Sequence, residues 1–272
     1  MKTIYTTMIV LFVTIAFISA QDTLYIYKSG VVISRCAVND LDSISFTYSP
    51  PETGTLTDVD GNLYHWIKIG TQRWMVENLK TTKFRTGESI TNLTDASAWS
   101  NASFAAWCDY YNVASNGVKY GKLYNWNAVN DSRKIAPTGW HIPSDNEWTI
   151  LENYVIASGN NYDGSTTENK IAKALAAKSD WVYYAQSETG AVSLDLTTNN
   201  KTGFTALPAG DRSNMIGVSF ELLGYSACWW SSTVYDLTYV WCRSLTNNMS
   251  SVYRDYYSGQ KQSGHSVRCI KD

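Results

Sequence analysis

The sequence predicts an α+β fold. Two segments carry helical signals, many more short runs read as strands punctuated by Gly, Asn, Thr and Ser, and 272 residues are enough for a real core. Because the few helices stand beside the strands and do not alternate with them, a doubly wound parallel sheet is disfavoured. Lys and Arg total 22 against 24 Asp and Glu, a net charge of −2, which gives no electrostatic footprint for nucleic acid or an anionic membrane. Charged residues reach only 17% while Tyr (19) and Trp (11) are abundant, so the chain is a folded one rich in aromatic contact groups.

Taken in order, Lys2, the apolar stretch Met8–Ile18 and Ser19-Ala20 before Gln21 form the three-part pattern of a secretory signal peptide over residues 1–20. The apolar run is shorter than the ~20 residues of a membrane-spanning helix, and no later window replaces it. The expected product is exported and not membrane-spanning, with an extracellular, cell-surface or periplasmic destination. Residues 21–47 alternate apolar and polar positions around Lys28-Ser29-Gly30, a small β-hairpin module. Residues 48–55 read as a linker, since Pro50 and Pro51 lack amide donors and Gly54 loosens the backbone.

The main domain is expected over residues 56–272. Asp58 and Asp60 with Gly61 match the opening of a calcium loop, but the later ligand positions and the bidentate Glu are missing, so Asp58-Val-Asp-Gly-Asn62 reads as an Asx turn. Leu63–Ile69 and Gln72–Val76 form a hairpin around Gly70-Thr71. Ser144-Asp-Asn-Glu147 is a capping box that starts the clearest helix, with Trp148, Leu151 and Val155 on one face. A second helix is predicted from Thr167 to Lys178 around Ile171 and Leu175, and a late strand over Tyr239–Leu245.

Chemistry-bearing residues are sparse. The three histidines are His65, within a strand, His141, in the phrase leading to the helix cap, and His265, beside the last strand. No Ser-His-Asp order, Gly-x-Ser-x-Gly elbow or phosphate-cradling loop accompanies them, so neither an enzyme nor a cofactor is expected. Cys36, Cys108, Cys228, Cys242 and Cys269 are odd in number and lack the CxxC or Cys/His spacing of a zinc site. Trp74, Trp126, Trp140, Trp148 and Trp229 are expected in the core before any sugar-platform role.

Several ordered phrases then combine: Asp60-Gly-Asn62, Ile69-Gly-Thr-Gln-Arg-Trp-Met-Val-Glu-Asn-Leu79, Tyr120-Gly-Lys-Leu-Tyr-Asn-Trp126, Pro137-Thr-Gly-Trp-His-Ile-Pro143, Gly203-Phe-Thr-Ala-Leu-Pro208, Trp229-Trp-Ser-Ser-Thr233 and Ser266-Val-Arg-Cys-Ile-Lys-Asp272. Together they resemble the Fibrobacter succinogenes major paralogous domain, common in Bacteroidota, over residues 56–272. The resemblance implies a C-type-lectin-like fold, akin to that of formylglycine-generating enzymes, and names no reaction. Ala136 stands where relatives often carry a cysteine, which leaves Cys269 either free or paired with Cys108. The copper-site phrase of formylglycine-generating enzymes and the Glu-Pro-Asn, Gln-Pro-Asp and Trp-Asn-Asp triplets of calcium-dependent lectins are not found.

The last forty residues carry the functional reading. A strand over Tyr239–Leu245 puts Trp241, Arg243 and Leu245 on one face and Cys242, Ser244 and Thr246 on the other. Tyr253, Asp255 and Tyr257 likewise alternate with Val252, Arg254 and Tyr256. Relatives diversified by a retroelement vary at such places through AAC codons. Cys242, Ser244, Thr246, Tyr253, Asp255, Tyr257, Ser258, Gly259 and His265 all belong to the set those codons yield. The expected site is therefore a non-catalytic recognition surface of Trp241, Cys242, Ser244, Thr246, Tyr253, Asp255, Tyr256, Tyr257, Ser258 and His265, with a glycan or protein ligand at the cell surface. The alternatives are a metal-dependent enzyme related to formylglycine generation and a purely structural surface protein.

Overall fold

A computed structural model of the chain describes residues 23–28, 31–37, 50–213, 219–256 and 260–272. The chain divides into two compact units, Met1–Pro50 and Pro51–Asp272. In the first, β1 (Thr23–Lys28) pairs antiparallel with β2 (Val31–Ala37), with a register shift between Ile26 and Tyr27.

The second unit opens on β3 (Thr53–Thr57), inside the segment read as linker. Gly54 is there for packing: a Cβ would stand 2.6 Å from the indole of Trp66 on the next strand. β3 pairs with β4 (Leu63–Ile69), and β4 with β5 (Gln72–Met75), both antiparallel. The β3–β4 connection is the expected Asx turn. Asp58 Oδ1 accepts from the amides of Asp60 and Asn62 at 2.9 Å each, and Asp58 Oδ2 accepts from Tyr64 Oη at 2.6 Å. Asp60 Oδ2 in turn accepts from the Thr82 amide and from the hydroxyls of Thr81 and Thr82.

A small sheet of β6 (Thr91–Asn92), β7 (Ala106–Cys108) and β8 (Leu123–Tyr124) follows, interspersed with α1 (Ala96–Ser100), α2 (Ala114–Tyr120) and α3 (Trp126–Val129). β9 (Trp140–His141) then leads into α4 (Asp145–Ala157), the longest helix among the described residues. Its capping box is complete: Ser144 Oγ accepts from the Glu147 amide at 3.2 Å while Glu147 Oε2 accepts from the Ser144 amide at 2.7 Å. Trp148, Leu151 and Val155 are buried on its inner face.

The predicted helix from Thr167 to Lys178 is corrected to the single turn α5 (Ala172–Leu175). Side chains claim the backbone before it: Asn161 Nδ2 donates to the carbonyls of Thr167 and Glu168, Lys170 N donates to Asn161 Oδ1, and Glu168 is left-handed at φ 64°. Beyond it, Ala176 is extended and bridges in parallel to Ala206. The alanines serve close packing in the core, not helix propagation.

The C-terminal sheet has the order β11-β10-β12-β13-β14, formed by β10 (Ala209–Ser213), β11 (Ser219–Leu223), β12 (Ser226–Val234), β13 (Val240–Thr246) and β14 (Tyr253–Asp255). β15 (Ile270–Lys271) returns to the first sheet between β5 and β9. The molecule is α+β with strands predominant.

Three apolar clusters join these layers. One gathers Trp74, Trp148, Phe204, Trp229 and Leu245, the second Tyr64, Trp126, Trp140, Trp230, Val267 and Cys269, and a smaller third Trp99, Cys108, Tyr110 and Leu123. All five tryptophans expected in the core are buried. Arg268 crosses the first cluster with its guanidinium 4.2 Å from the Phe204 ring centroid, and its Nη2 donates to Asn78 Oδ1 at 2.9 Å. Among the described residues no carboxylate forms an ion pair with it. Burial pulls its pKa down to about 9. All five cysteines are thiols.

Candidate functional site

The register of three strands decides which predicted site residues meet. Trp230 opposes Cys242 and Cys228 opposes Ser244 across β12–β13, while Cys242 opposes Asp255 and Ser244 opposes Tyr253 across β13–β14. Opposed side chains share a face, so Cys242, Ser244, Thr246, Tyr253 and Asp255 lie together on one side of the ladder. On the other side, Arg243 is fully buried: its Nη1 donates to Asp145 Oδ1 at 2.7 Å and its Nε to Glu152 Oε1. Arg254 Nη2 reaches the second oxygen of Asp145 at 2.9 Å, and Leu245 packs in the first cluster. Helix α4 thus clamps one face of the ladder and leaves Ser244, Thr246, Tyr253 and Asp255 partly or largely in solvent on the other.

Electrostatics sort these groups further. Burial raises the Glu152 carboxyl, against the lowering pull of Arg243, whereas Asp145, which burial would also raise, is held low by Arg254 and Arg243. Burial pushes Asp211, whose cross-strand partner is Glu221, up to about 7, and the charge of Glu221 adds to the rise. The Cys228 thiol is pushed up first by its hydrogen bond with Cys242 and then by burial. Among the described residues no group of three or more His, Cys, Asp or Glu side chains stands ready to hold a metal ion.

Four of the predicted residues do not belong to that exposed surface, being buried or on the opposite side. Cys242 has 0% exposure and donates its thiol to the Asp255 carbonyl at 3.2 Å, so it lies beneath the surface and is not a contact residue. His265 has 1% exposure: its backbone pairs with Tyr124 and its ring meets Trp230 edge-on at 4.5 Å. Cys242 lies between Trp230 and Asp255 of the neighbouring strands and His265 against Trp230 and Tyr124, a burial that local alternation does not encode. Trp241 and Tyr256 belong to the opposite side, in an aromatic cluster whose rings are spent on one another. Arg254 covers Trp241 at 3.6 Å, Tyr256 stacks on Tyr235 at 4.0 Å, and Tyr235 meets Trp241 edge-on at 5.0 Å. Tyr257, Ser258 and Gly259 lie outside the described residues.

A neighbouring group had no signal in the local pattern. Tyr184, Leu222, Tyr225, Ser226, Thr246, Asn247 and Asn248 line a shallow pocket of about 250 Å³ at the Ser226–Thr246 end of the ladder. They come from three separate stretches of chain, joined by backbone bonds from Asn247 N to Tyr225 O and from Tyr225 N to Leu222 O.

His141, at the far edge of the first sheet, sits between two carboxylates: Nε2 to Glu147 Oε1 at 2.8 Å and Nδ1 to Asp272 Oδ1 at 2.6 Å. Burial pulls its pKa down, but the two hydrogen bonds outweigh it and leave the imidazole above its usual value. Its partners belong to the helix cap and to the last residue, in keeping with a structural role.

Fold and site together define a strand-rich α+β domain with one clamped and one open face on its C-terminal ladder. The family model for the Fibrobacter succinogenes major domain matches residues 67–271, and the chain belongs to that family. No curated protein and no solved structure matches the chain.

Proposed function

We propose that the protein is a non-catalytic binding module, exported after loss of residues 1–20, that recognises a glycan or protein ligand at the cell surface through the open face of its C-terminal ladder. One observation carries this reading: Ser244, Thr246, Tyr253 and Asp255 share the side of the ladder away from α4 and are half-buried or exposed there, beside the buried Cys242, while Arg243, Leu245 and Val252 anchor the same strands from below. Such an arrangement separates recognition from stability at Ser244 and Tyr253, which belong to no apolar cluster of the core. Tyr and Ser there give contact area and hydrogen bonds at low entropic cost. It also suits a surface built to vary, so retroelement diversification of these codons and a C-type-lectin-like architecture belong to the same proposal.

The test is retention of the purified chain on glycan and cell-surface protein arrays. Wild type is retained on at least one ligand. The Ser244→Arg/Tyr253→Ala variant loses that retention while its melting temperature stays within about 4 °C, the shift of roughly 1 kcal/mol in a domain of this size. Retention on no ligand, or stoichiometric copper held by cysteine in the purified protein, defeats the reading in favour of a structural or metal-dependent role.

A further inference from the structure

Two opposed acids stand at the outer edge of the C-terminal sheet. β11 has one neighbour there, β10, and across that pair Asp211 faces Glu221. Directly opposed side chains on antiparallel strands stand about 4.5–5.5 Å apart at Cβ, so two carboxylates in these positions repel. Asp211 Oδ1 is withdrawn from solvent and accepts from no donor among the described residues. Glu221 Oε1 accepts from Ser219 Oγ at 2.6 Å, a hydroxyl and not a cation. The adjacent base, Arg212, alternates to the other face, where its Nη1 and Nη2 donate to the carbonyls of Leu93 and Thr94.

Nothing else nearby neutralises the pair. Two further titratable groups among the described residues feel the Asp211 charge, Cys228 on β12 and Tyr110 ahead of α2. The thiol is pushed up by its bond with Cys242 and by burial, the phenol by burial, so both keep their protons near neutral pH. Residues 214–218, between the two strands, read Asn-Met-Ile-Gly-Val and carry no charge. Burial first and the Glu221 charge second therefore hold the Asp211 carboxyl at about 7. The backbone beside the pair is strained as well. Leu222 takes a left-handed φ of 63°, and a Cβ at Gly210 would stand 2.4 Å from the Glu221 carbonyl oxygen, so β11 is pressed onto β10 in a conformation that its surroundings must enforce.

We infer that Asp211 and Glu221 form a proton-operated latch: β11 lies tight on β10 while Asp211 keeps its proton and loosens once both carboxyls are ionised. Loosening relieves the like-charge opposition and the Leu222 strain together, and it alters the pocket at the ladder end, which Leu222 lines. A solvated Asp211 carboxyl in the opened state titrates near 3.8 and that of the closed pair near 7, so the closed state binds the proton more tightly. Its advantage is complete below 3.8 and is lost as pH rises toward 7. The latch is independent of any ligand on the ladder face.

The latch is tested by hydrogen–deuterium exchange of the full chain between about pH 4.5 and 8.5, with each rate divided by the intrinsic rate at that pH. Protection of the amides in 209–213 and 219–223 falls by about tenfold per pH unit up to roughly pH 7 and then levels off, while β12 and β13 do not follow. Asp211→Asn, which keeps the shape and removes the ionisation, holds that protection constant, and Glu221→Gln moves the levelling-off to lower pH. Carbon NMR of the wild-type carboxyls finds Asp211 titrating near neutrality. Wild-type protection of the two segments that ignores pH, a fall that persists in Asp211→Asn, or an Asp211 carboxyl that titrates below about 5 overturns the latch. The wild-type exchange and titration decide it even where Asp211→Asn fails to fold.

Discussion

At the scale of single residues, buried charge explains more of this molecule than surface charge. Among the described residues Arg268 has no carboxylate partner and depends on Asn78 Oδ1, the Phe204 carbonyl and the flanking rings of Phe204 and Trp229. Arg268→Ala leaves a cavity and takes the guanidinium donors from the Phe204 carbonyl and from Asn78 Oδ1, which keeps the Trp229 indole at 2.9 Å, and is expected to cost about 3–5 kcal/mol in urea denaturation. His141 yields a pH prediction. Its folded pKa lies above the ordinary 6.5, so its contribution is complete below that value and is lost as pH rises through the folded pKa. Glu147, which burial would raise, is held below its ordinary 4.5 by Ser144 and His141, so its contribution is present above 4.5 and is lost as pH falls through its folded value. Stability from this bridge is therefore greatest between 4.5 and 6.5. Urea midpoints across pH should fall on the alkaline side for wild type and lose that limb in His141→Gln.

At the scale of elements, α4 links sequence to site. Its start is written locally in Ser144 and Glu147, and Ser144→Ala should cost about 1 kcal/mol by chemical denaturation. Its second task is long-range: Asp145 holds both Arg243 and Arg254, which fixes β13 and β14 and with them the face that Ser244 and Tyr253 present. Arg243→Ala leaves Asp145 and Glu152 without their buried partner and should cost about 3–5 kcal/mol, several times the loss at the exposed Arg254. The hairpin over β4 and β5 was legible because two short runs rich in aromatic and β-branched residues flank a Gly-Thr turn. The helix at 167–178 misled because alanine spacing cannot distinguish a helix from closely packed extended chain when Asn161 bonds the backbone of Thr167, Glu168 and Lys170.

At the scale of the whole molecule, the division at Pro50–Pro51 makes the second unit a candidate for independent folding. A chain of residues 51–272 alone is expected to show one cooperative thermal transition within a few degrees of the full protein, measured by circular dichroism. Helix packing beneath one side of the C-terminal ladder also predicts asymmetry in a substitution scan. Changes at Ser244 and Tyr253 should leave stability within about 0.5 kcal/mol, while changes at Leu245 and Val252 should each cost about 2 kcal/mol or more.

The sequence by itself determined the α+β class, the family, the capped helix, the first hairpin and the alternation that sets Ser244 and Thr246 against Arg243 and Leu245. These depend on period, turn chemistry and capping, which act within a few residues. Only the tertiary structure decided that Cys242 and His265 are buried, that Trp241 and Tyr256 spend their rings on Tyr235 and Arg254, and that Tyr184, Tyr225 and Thr246 line one pocket. Exposure of a side chain depends on what distant segments lay over it, and no local pattern carries that information.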